Sequence, residues 1–365
     1  MQFVGIDLHT NRFTCCYRGE EKEKKETATF ELTAYGMAQF YQTLTPETYV
    51  LVEATNPTFA FVRLIRPMVK EVIIANTYEL KQISLARKNT DKIDADILCR
   101  IIKMQVLSGE QAVSAVTVPP VIIQDLRGLF TTYRLYRKQT TQIKNRVHSL
   151  LKERLYGFTK EEIFCKKDRE KIRNPEAGTV MAFQINQLLD NLEHMEVQIG
   201  KLEDKIKEHT EQYMREIGIP TSMKGIGVFT AIAVMADIIE VNRFKNSKGF
   251  TSYLRSAPRV SNSNTSRPTL GTNKKGRKLA ATLIRQYLNH ILSVGPKLNR
   301  RYEHLTRLKK KGLVRTGLRR RVFAEMYQML KKGEYHYGRD ERIHEGKILQ
   351  YKRFLEKRKN LLNTA

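Results

Sequence analysis

Four carboxylates carry the chemistry this sequence suggests. Asp7 stands in Val4-Gly5-Ile6-Asp7-Leu8-His9, Glu53 in Val50-Leu51-Val52-Glu53-Ala54, and Asp91 and Asp94 in Lys88-Asn89-Thr90-Asp91-Lys92-Ile93-Asp94-Ala95. Asp7 and Glu53 interrupt runs of apolar residues, where an uncompensated charge is costly to bury. Asp91 and Asp94, three residues apart at the start of a helical pattern, fall on one helix face. In a chain of formal charge +27, such acids ask for a cation. A hard divalent ion, Mg²⁺ or Mn²⁺, takes oxygen ligands and keeps several waters, so a few carboxylates from separate elements around an open site suit it. A pair of such ions can activate an attacking oxygen and stabilise a leaving one at a phosphodiester. Each acid also has a plain structural role open to it: Asp91 as a helix cap, Glu53 as a partner for a lysine. The ordered set is more specific than its members.

The elements that must position these acids follow from hydrophobic periodicity. Strands are expected at Phe3 to Leu8, Phe13 to Tyr17, Ala28 to Leu32, Tyr49 to Glu53 and Val72 to Ala75, with helices near 34–44, 57–69 and 91–105. This is an α/β pattern. From about 120 to 155 apolar residues recur at helical spacing among Arg and Lys. Ile185, Leu188, Leu192, Met195, Ile199, Leu202 and Ile206 then alternate three and four apart, as in a coiled-coil seam. Asn174-Pro175 and Gly178 break the chain between them, which fits either a hairpin or a seam shared between subunits. A third region, from Gly218-Ile219-Pro220, holds Gly225-Ile226-Gly227, an Ala-rich helix from Thr230 to Ile239, a polar loop from Pro258 to Lys275 and a helix from Lys278 to Leu292. The Gly225-Ile226-Gly227 turn resembles a helix-hairpin-helix turn that receives a phosphate on helix amides, and a packing turn would read the same.

Composition bounds the partners. The 365 residues include 65 Lys plus Arg against 38 Asp plus Glu, with 41% hydrophobic residues. The chain is long enough for two or three domains with real cores. The excess charge, with basic runs at Lys309-Lys310-Lys311 and Arg319-Arg320-Arg321, points to DNA or RNA, whose phosphates make binding salt-dependent. No apolar run reaches membrane-spanning length and no leader pattern opens the chain, so neither export nor membrane insertion is expected. Cys15, Cys16, Cys99 and Cys165 have no metal or disulfide spacing and read as reduced, buried small hydrophobes of a cytoplasmic protein.

The order of Asp7 in G-I-D-x-H, Glu53 in V-E-A-T and the pair in T-D-x-x-D-A resembles the DEDD transposases of the IS110 group of bacterial insertion sequences. The resemblance continues through Lys224 to Ala231, Asn242 to Asn246, Tyr253, Pro258, Ser263, Gly271 and Gly276, and with the helices between covers residues 1 to about 330. It implies an α/β plus α architecture with a RuvC-like, RNase H-type domain over 1–115. A helical coiled-coil hairpin over 116–212, a mainly helical transposase domain over 213–335 and a basic tail over 336–365 follow. It implies Mg²⁺ or Mn²⁺ at Asp7, Glu53, Asp91 and Asp94. It also implies a nucleophilic serine, Ser263, five residues after Pro258 in the place of the family's P-x-x-x-x-S-G serine. Asn264 stands where the family has Gly, and Asn tolerates the left-handed backbone a Gly would supply. Arg255-Ser256-Ala257 replaces the usual residues before the proline, and Ser261 and Ser266 are rival positions.

With the family come a structured bridge RNA that pairs with donor and target DNA and a homo-oligomer, at least a dimer and a tetramer at synapsis. An acidic domain of one subunit would face the serine of another, in the nucleoid-associated cytoplasm of a bacterium. A Piv-type DNA invertase has the same acids and fold. A RuvC-like nuclease using water instead of serine, and a non-catalytic nucleic-acid-binding protein, are the readings outside the group.

Overall fold

A computed structural model of the chain describes residues 1–21, 25–77, 80, 90–159, 162, 165–173, 179–258, 272–273 and 275–363. It divides into two compact units, Met1–Pro119 and Pro120–Ala365.

The first unit is a five-stranded sheet, β1 (Gln2–Leu8), β2 (Arg12–Gly19), β3 (Glu26–Glu31), β4 (Thr48–Glu53) and β5 (Glu71–Ala75), in the order β3-β2-β1-β4-β5. β1 pairs antiparallel with β2, and β2 with β3, while β4 lies parallel to β1 and β5 to β4. A mixed sheet in this order, with helices on it, fits an RNase H-like α/β architecture. Alternation sorts the strands between two faces. Val4, Ile6, Leu8, Phe13, Val50, Val52 and Ile74 face one core, against α1 (Ala34–Tyr41) and α2 (Thr58–Ile65). Phe3, Cys16, Leu51, Ile73 and Ala75 face the other, under Ala95, Leu98, Cys99 and Ile102 of α3 (Asp91–Ser108).

α3 begins where Thr90 accepts a hydrogen bond from the Ile93 amide, and ends at Gly109 in the left-handed region (φ 70°). The cap is therefore Thr90, and Asp91 is the first helical residue. Gly5 lets α3 lie almost on the β1 backbone. A Cβ there would come within 2.2 Å of both the Ala95 carbonyl oxygen and the Cys99 amide nitrogen. That close approach brings the first turn of α3 to the carboxyl end of β1.

The second unit is helical: α4 (Val121–Glu153), α5 (Arg169–Arg173), α6 (Val180–Glu208), α7 (Met214–Thr221), α8 (Val228–Ile238), α9 (Ser247–Tyr253), α10 (Leu279–Val294), α11 (Pro296–Leu308), α12 (Lys311–Lys332) and α13 (Glu341–Asn363). α4 and α6 pack along each other within one chain. Ile143, Val147 and Leu150 of α4 meet Ile185, Leu189 and Leu192 of α6 in one cluster. Leu189, rather than Leu188, takes the fully buried place in the seam. Asn174, Pro175 and Gly178, expected to break the hairpin, lie outside the described residues. The same two helices extend into a larger core, where Ile123, Leu126, Phe130, Ile199 and Ile206 surround Ala231–Ala236 of the hydrophobic α8. The stretches expected as hairpin, transposase domain and tail thus share one compact unit.

Within the stretch expected as a basic tail, residues 341–363 form a helix whose Tyr351 and Leu355 are buried in that core, their four-residue spacing hidden among charges. One expectation is corrected. Cys165 is exposed, whereas Cys15, Cys16 and Cys99 are buried as expected.

Candidate functional site

Asp7 is the next to last residue of β1, and Glu53 is the last of β4. The parallel register pairs Ile6 with Val52, so one step further on Asp7 and Glu53 occupy equivalent places at the carboxyl ends of neighbouring strands. By alternation both belong to the α3 face, with Phe3, Gly5 and Leu51. Asp91 and Asp94 occupy the first turn of α3, where acids also suit the positive end of the helix.

Side-chain geometry tightens part of this set. Asp7 is 7% exposed. His9 Nε2 lies 3.1 Å from Asp7 Oδ2 and 3.5 Å from Asp91 Oδ1. Ligand atoms of Asp7, His9 and Asp91 all lie within 4.8 Å of one another. Arg12 reaches Asp91 Oδ2 from the start of β2 at 3.1 Å. Burial raises the Asp7 carboxyl above the ordinary aspartate range; His9 pulls it down, and the charges of Asp94 and Asp91 push it up again. Asp94 is raised as well, by burial first and then by Asp91. Glu53 is half-buried and stands outside the trio of close ligand atoms. Among the described residues, its carboxylate has no hydrogen bond or ion pair.

This arrangement fits a divalent cation. Three mutually repelling aspartates, one nearly buried, hold more negative charge than one histidine and one exposed arginine offset, and a hard cation would relieve the excess. Asp7 and Asp91 would hold the ion, with Asp94 beside them and Glu53 at the neighbouring strand end. His9 and Arg12 were not singled out by sequence reasoning. The signal for His9 was present in G-I-D-x-H, two residues beyond the acid. Arg12 reaches the site only through the β1–β2 hairpin, which brings its side chain back beside Asp91.

In the second unit, Ser263, with Ser261, Asn264, Ser266 and Gly271, lies outside the described residues. The chain on either side is placed. Pro258 forms an antiparallel bridge with Thr272, and the Asn273 amide donates to the Ala257 carbonyl at 3.0 Å. The Gly225-Ile226-Gly227 turn is a packing turn at least in part: Gly225 has φ 82°, and a Cβ there would come within 2.8 Å of Ile291 Cα on α10. Gly227 begins α8 with no side-chain cap.

Carboxylates at one end of a sheet that fits an RNase H-like architecture, in a chain this basic, are what an enzyme acting on polynucleotides with a divalent cation would present. A family model of DEDD transposases of the IS110 type matches residues 4–155, and one described as the transposase IS116/IS110/IS902 family matches residues 219–303. The chain belongs to the IS110 family of transposases, enzymes that cut and rejoin DNA. No curated protein matches it. Among the described residues, no helix is long and apolar enough to cross a membrane.

Proposed function

We propose that the chain is the transposase of an insertion sequence, a site-specific recombinase that exchanges strands through a phosphoserine at Ser263 with Asp7, Glu53, Asp91 and Asp94 as its magnesium-binding set. The observation that carries this reading is the gathering of Asp7 and Asp91 at His9, with the charge of Asp94 close by, in a chain matched over residues 4–155 and 219–303 by models of one transposase family. The metal-binding role falls to a RuvC-like domain in the first unit, and the covalent role to the part of the second unit matched over 219–303.

The serine hydroxyl attacks a backbone phosphorus, its oxygen forming the new ester bond as the bond to one deoxyribose oxygen breaks. The hydroxyl proton is given up, and the released sugar oxygen takes up a proton. The phosphodiester is conserved as a phosphoserine, so rejoining needs no ATP. A serine hydroxyl needs help to ionise, and no histidine neighbours Ser263 in sequence. A bound Mg²⁺ would supply that help, favouring the ionised attacking oxygen and offsetting charge on the leaving one. Asp7 is suited to hold the ion rigidly because the β1 backbone fixes it and α3 shields it. His9 draws the Asp7 and Asp91 carboxylates together through a single ring nitrogen, Nε2.

A structured bridge RNA is proposed as the guide. Base pairing would then choose the sequence, while the protein grips the backbone through charge. A composite site, with the acids of one subunit acting with the serine of another, requires at least a dimer.

The test is recombination of the element's ends with a target in the presence of its RNA. The expected result is a protein–DNA adduct and joined product with wild type, and neither with Ser263→Ala. Full recombination by Ser263→Ala would reject the serine role. Metal-dependent cleavage without an adduct would favour a RuvC-like hydrolase.

A further inference from the structure

We propose a second anion site, in the helical unit, that seats one backbone phosphate of the bound polynucleotide. It is a cleft of about 200 Å³ whose lining includes Arg127, Arg134, Arg255, Arg277 and Lys278, with Asp237 at its base. The inference rests on the reading that this chain grips nucleic acid, and not on the identity of the nucleophile.

The charge is out of balance. Five cationic side chains meet one carboxylate, and that carboxylate is already engaged. Asp237 is fully buried and accepts from the Ala280 amide at 2.9 Å and from Arg277 Nε at 3.3 Å. Arg127 has no such partner. Its Nε and Nη2 donate to the carbonyls of Ala236 and Asp237, at 2.8 and 3.0 Å, so the guanidinium is held by the end of α8 rather than by a carboxylate. Burial, and then the charge of Arg277, pull the Arg127 guanidinium down to about 10. A group so placed gains from an anion that the protein itself does not provide.

The backbone is shaped for the same purpose. Lys278 precedes α10 and does not cap it with its own side chain; the Ala280 amide of the first turn is instead taken by Asp237, so this carboxylate is spent on the helix end and on Arg277 and leaves the other cations of the cleft without an acid of their own. Arg255 adopts a left-handed backbone (φ 50°), a conformation disfavoured for any residue with a Cβ. It is kept there by its own Nε, which donates to the Gly276 carbonyl at 2.7 Å, and by Arg319, which donates to the Arg255 carbonyl at 3.1 Å. Strain of this kind persists where surrounding contacts over-determine it, commonly at ligand sites.

The cleft's place in the chain gives it meaning. Arg255 stands four residues before, and Arg277 six residues after, the segment 259–271 that contains Ser263, and Pro258 and Thr272 pair at its two ends. A phosphate held here would register the strand against that segment. The arginine fork suits a phosphodiester, which presents two oxygens in the plane of a guanidinium.

The experiment uses the full chain, a labelled DNA duplex and an RNA of the same sequence, each titrated over a range of salt. Arg134→Gln combined with Lys278→Gln removes two charges whose side chains hold no hydrogen bond among the described residues. Lys352→Gln combined with Lys357→Gln removes the same charge from exposed positions on α13. The cleft variant is expected to bind about tenfold or more weakly than the α13 variant, with the slope of log K against log salt shallower by about one. Inorganic phosphate at fixed ionic strength is expected to raise the melting temperature of wild type and not of the cleft variant. Loss confined to DNA, or to RNA, would identify which strand supplies the phosphate. Equal binding by the two variants to both probes would overturn the site. The nucleophile is tested separately: Ser263→Ala should keep the binding and lose the adduct, so the two readings fail independently.

Discussion

Asp7 combines two costs, burial and the neighbouring charges of Asp94 and Asp91, and both fall on its ionised form. The expected outcome for Asp7→Asn is a split between function and stability. Metal-dependent strand cleavage should fall by about 100-fold or more, as for loss of a ligand or its close support, while the metal-free protein melts at or above the wild-type temperature. Paired cleavage assays and thermal melts check this; a large drop in melting temperature would make Asp7 a structural residue instead. Chelation should abolish cleavage and restoration of Mg²⁺ or Mn²⁺ recover it, with duplex binding largely kept throughout. At this scale the sequence was legible where charge contradicted its surroundings: Asp7 and Glu53 stood out because their neighbours are apolar. His9 did not, since a histidine just past a strand is equally at home in solvent. Its bridging role depends on Asp91, more than eighty residues away.

The elements explain why the acids meet. α3 approaches β1 closely because position 5 has no side chain, and Gly5→Ala would force a Cβ against two backbone atoms that cannot rotate away. A loss of about 1–3 kcal/mol is expected, the usual cost of overpacking, and it should appear in denaturant melts together with weakened metal binding, because Asp91 and Asp94 move with the helix. Strands and helices were legible from alternation and periodicity, but this glycine's role was not, because it depends on a helix arriving from residues 91–108. The same holds for α13, where a few buried positions are outnumbered by charges. His344 tests that helix. Its Nε2 bonds to the Gly218 carbonyl at 3.0 Å, its Nδ1 is buried with no hydrogen-bond partner among the described residues, and burial, with Arg339 and Lys347 nearby, lowers its affinity for a proton. The unfolded chain therefore takes up the proton first. Stability is kept above the ordinary histidine range and lost as pH falls below about 6.5. His344→Gln should flatten that slope in melts across pH 7 to 5, a range chosen to bracket about 6.5.

For the whole molecule, a net charge of +27 makes salt the dominant variable of DNA binding. Affinity should fall steeply and linearly on a log–log plot against salt, with a slope of roughly 0.9 per phosphate neutralised. A flat plot would mean that the charge serves some other purpose. The partner class was legible from this number alone, whereas the union of hairpin, α8 and α13 in one core was not, because such contacts join residues far apart in the chain. That union bears on how copies of the protein could associate. The apolar stripe of α6 is already spent on α4 of the same polypeptide. A second copy that used the same stripe would have to pry a helix loose and trade it, a slow exchange with a high barrier. Rapid, reversible self-association is therefore expected to draw on outward-facing residues, with the hairpin serving as a strut within each copy rather than a fastener between them.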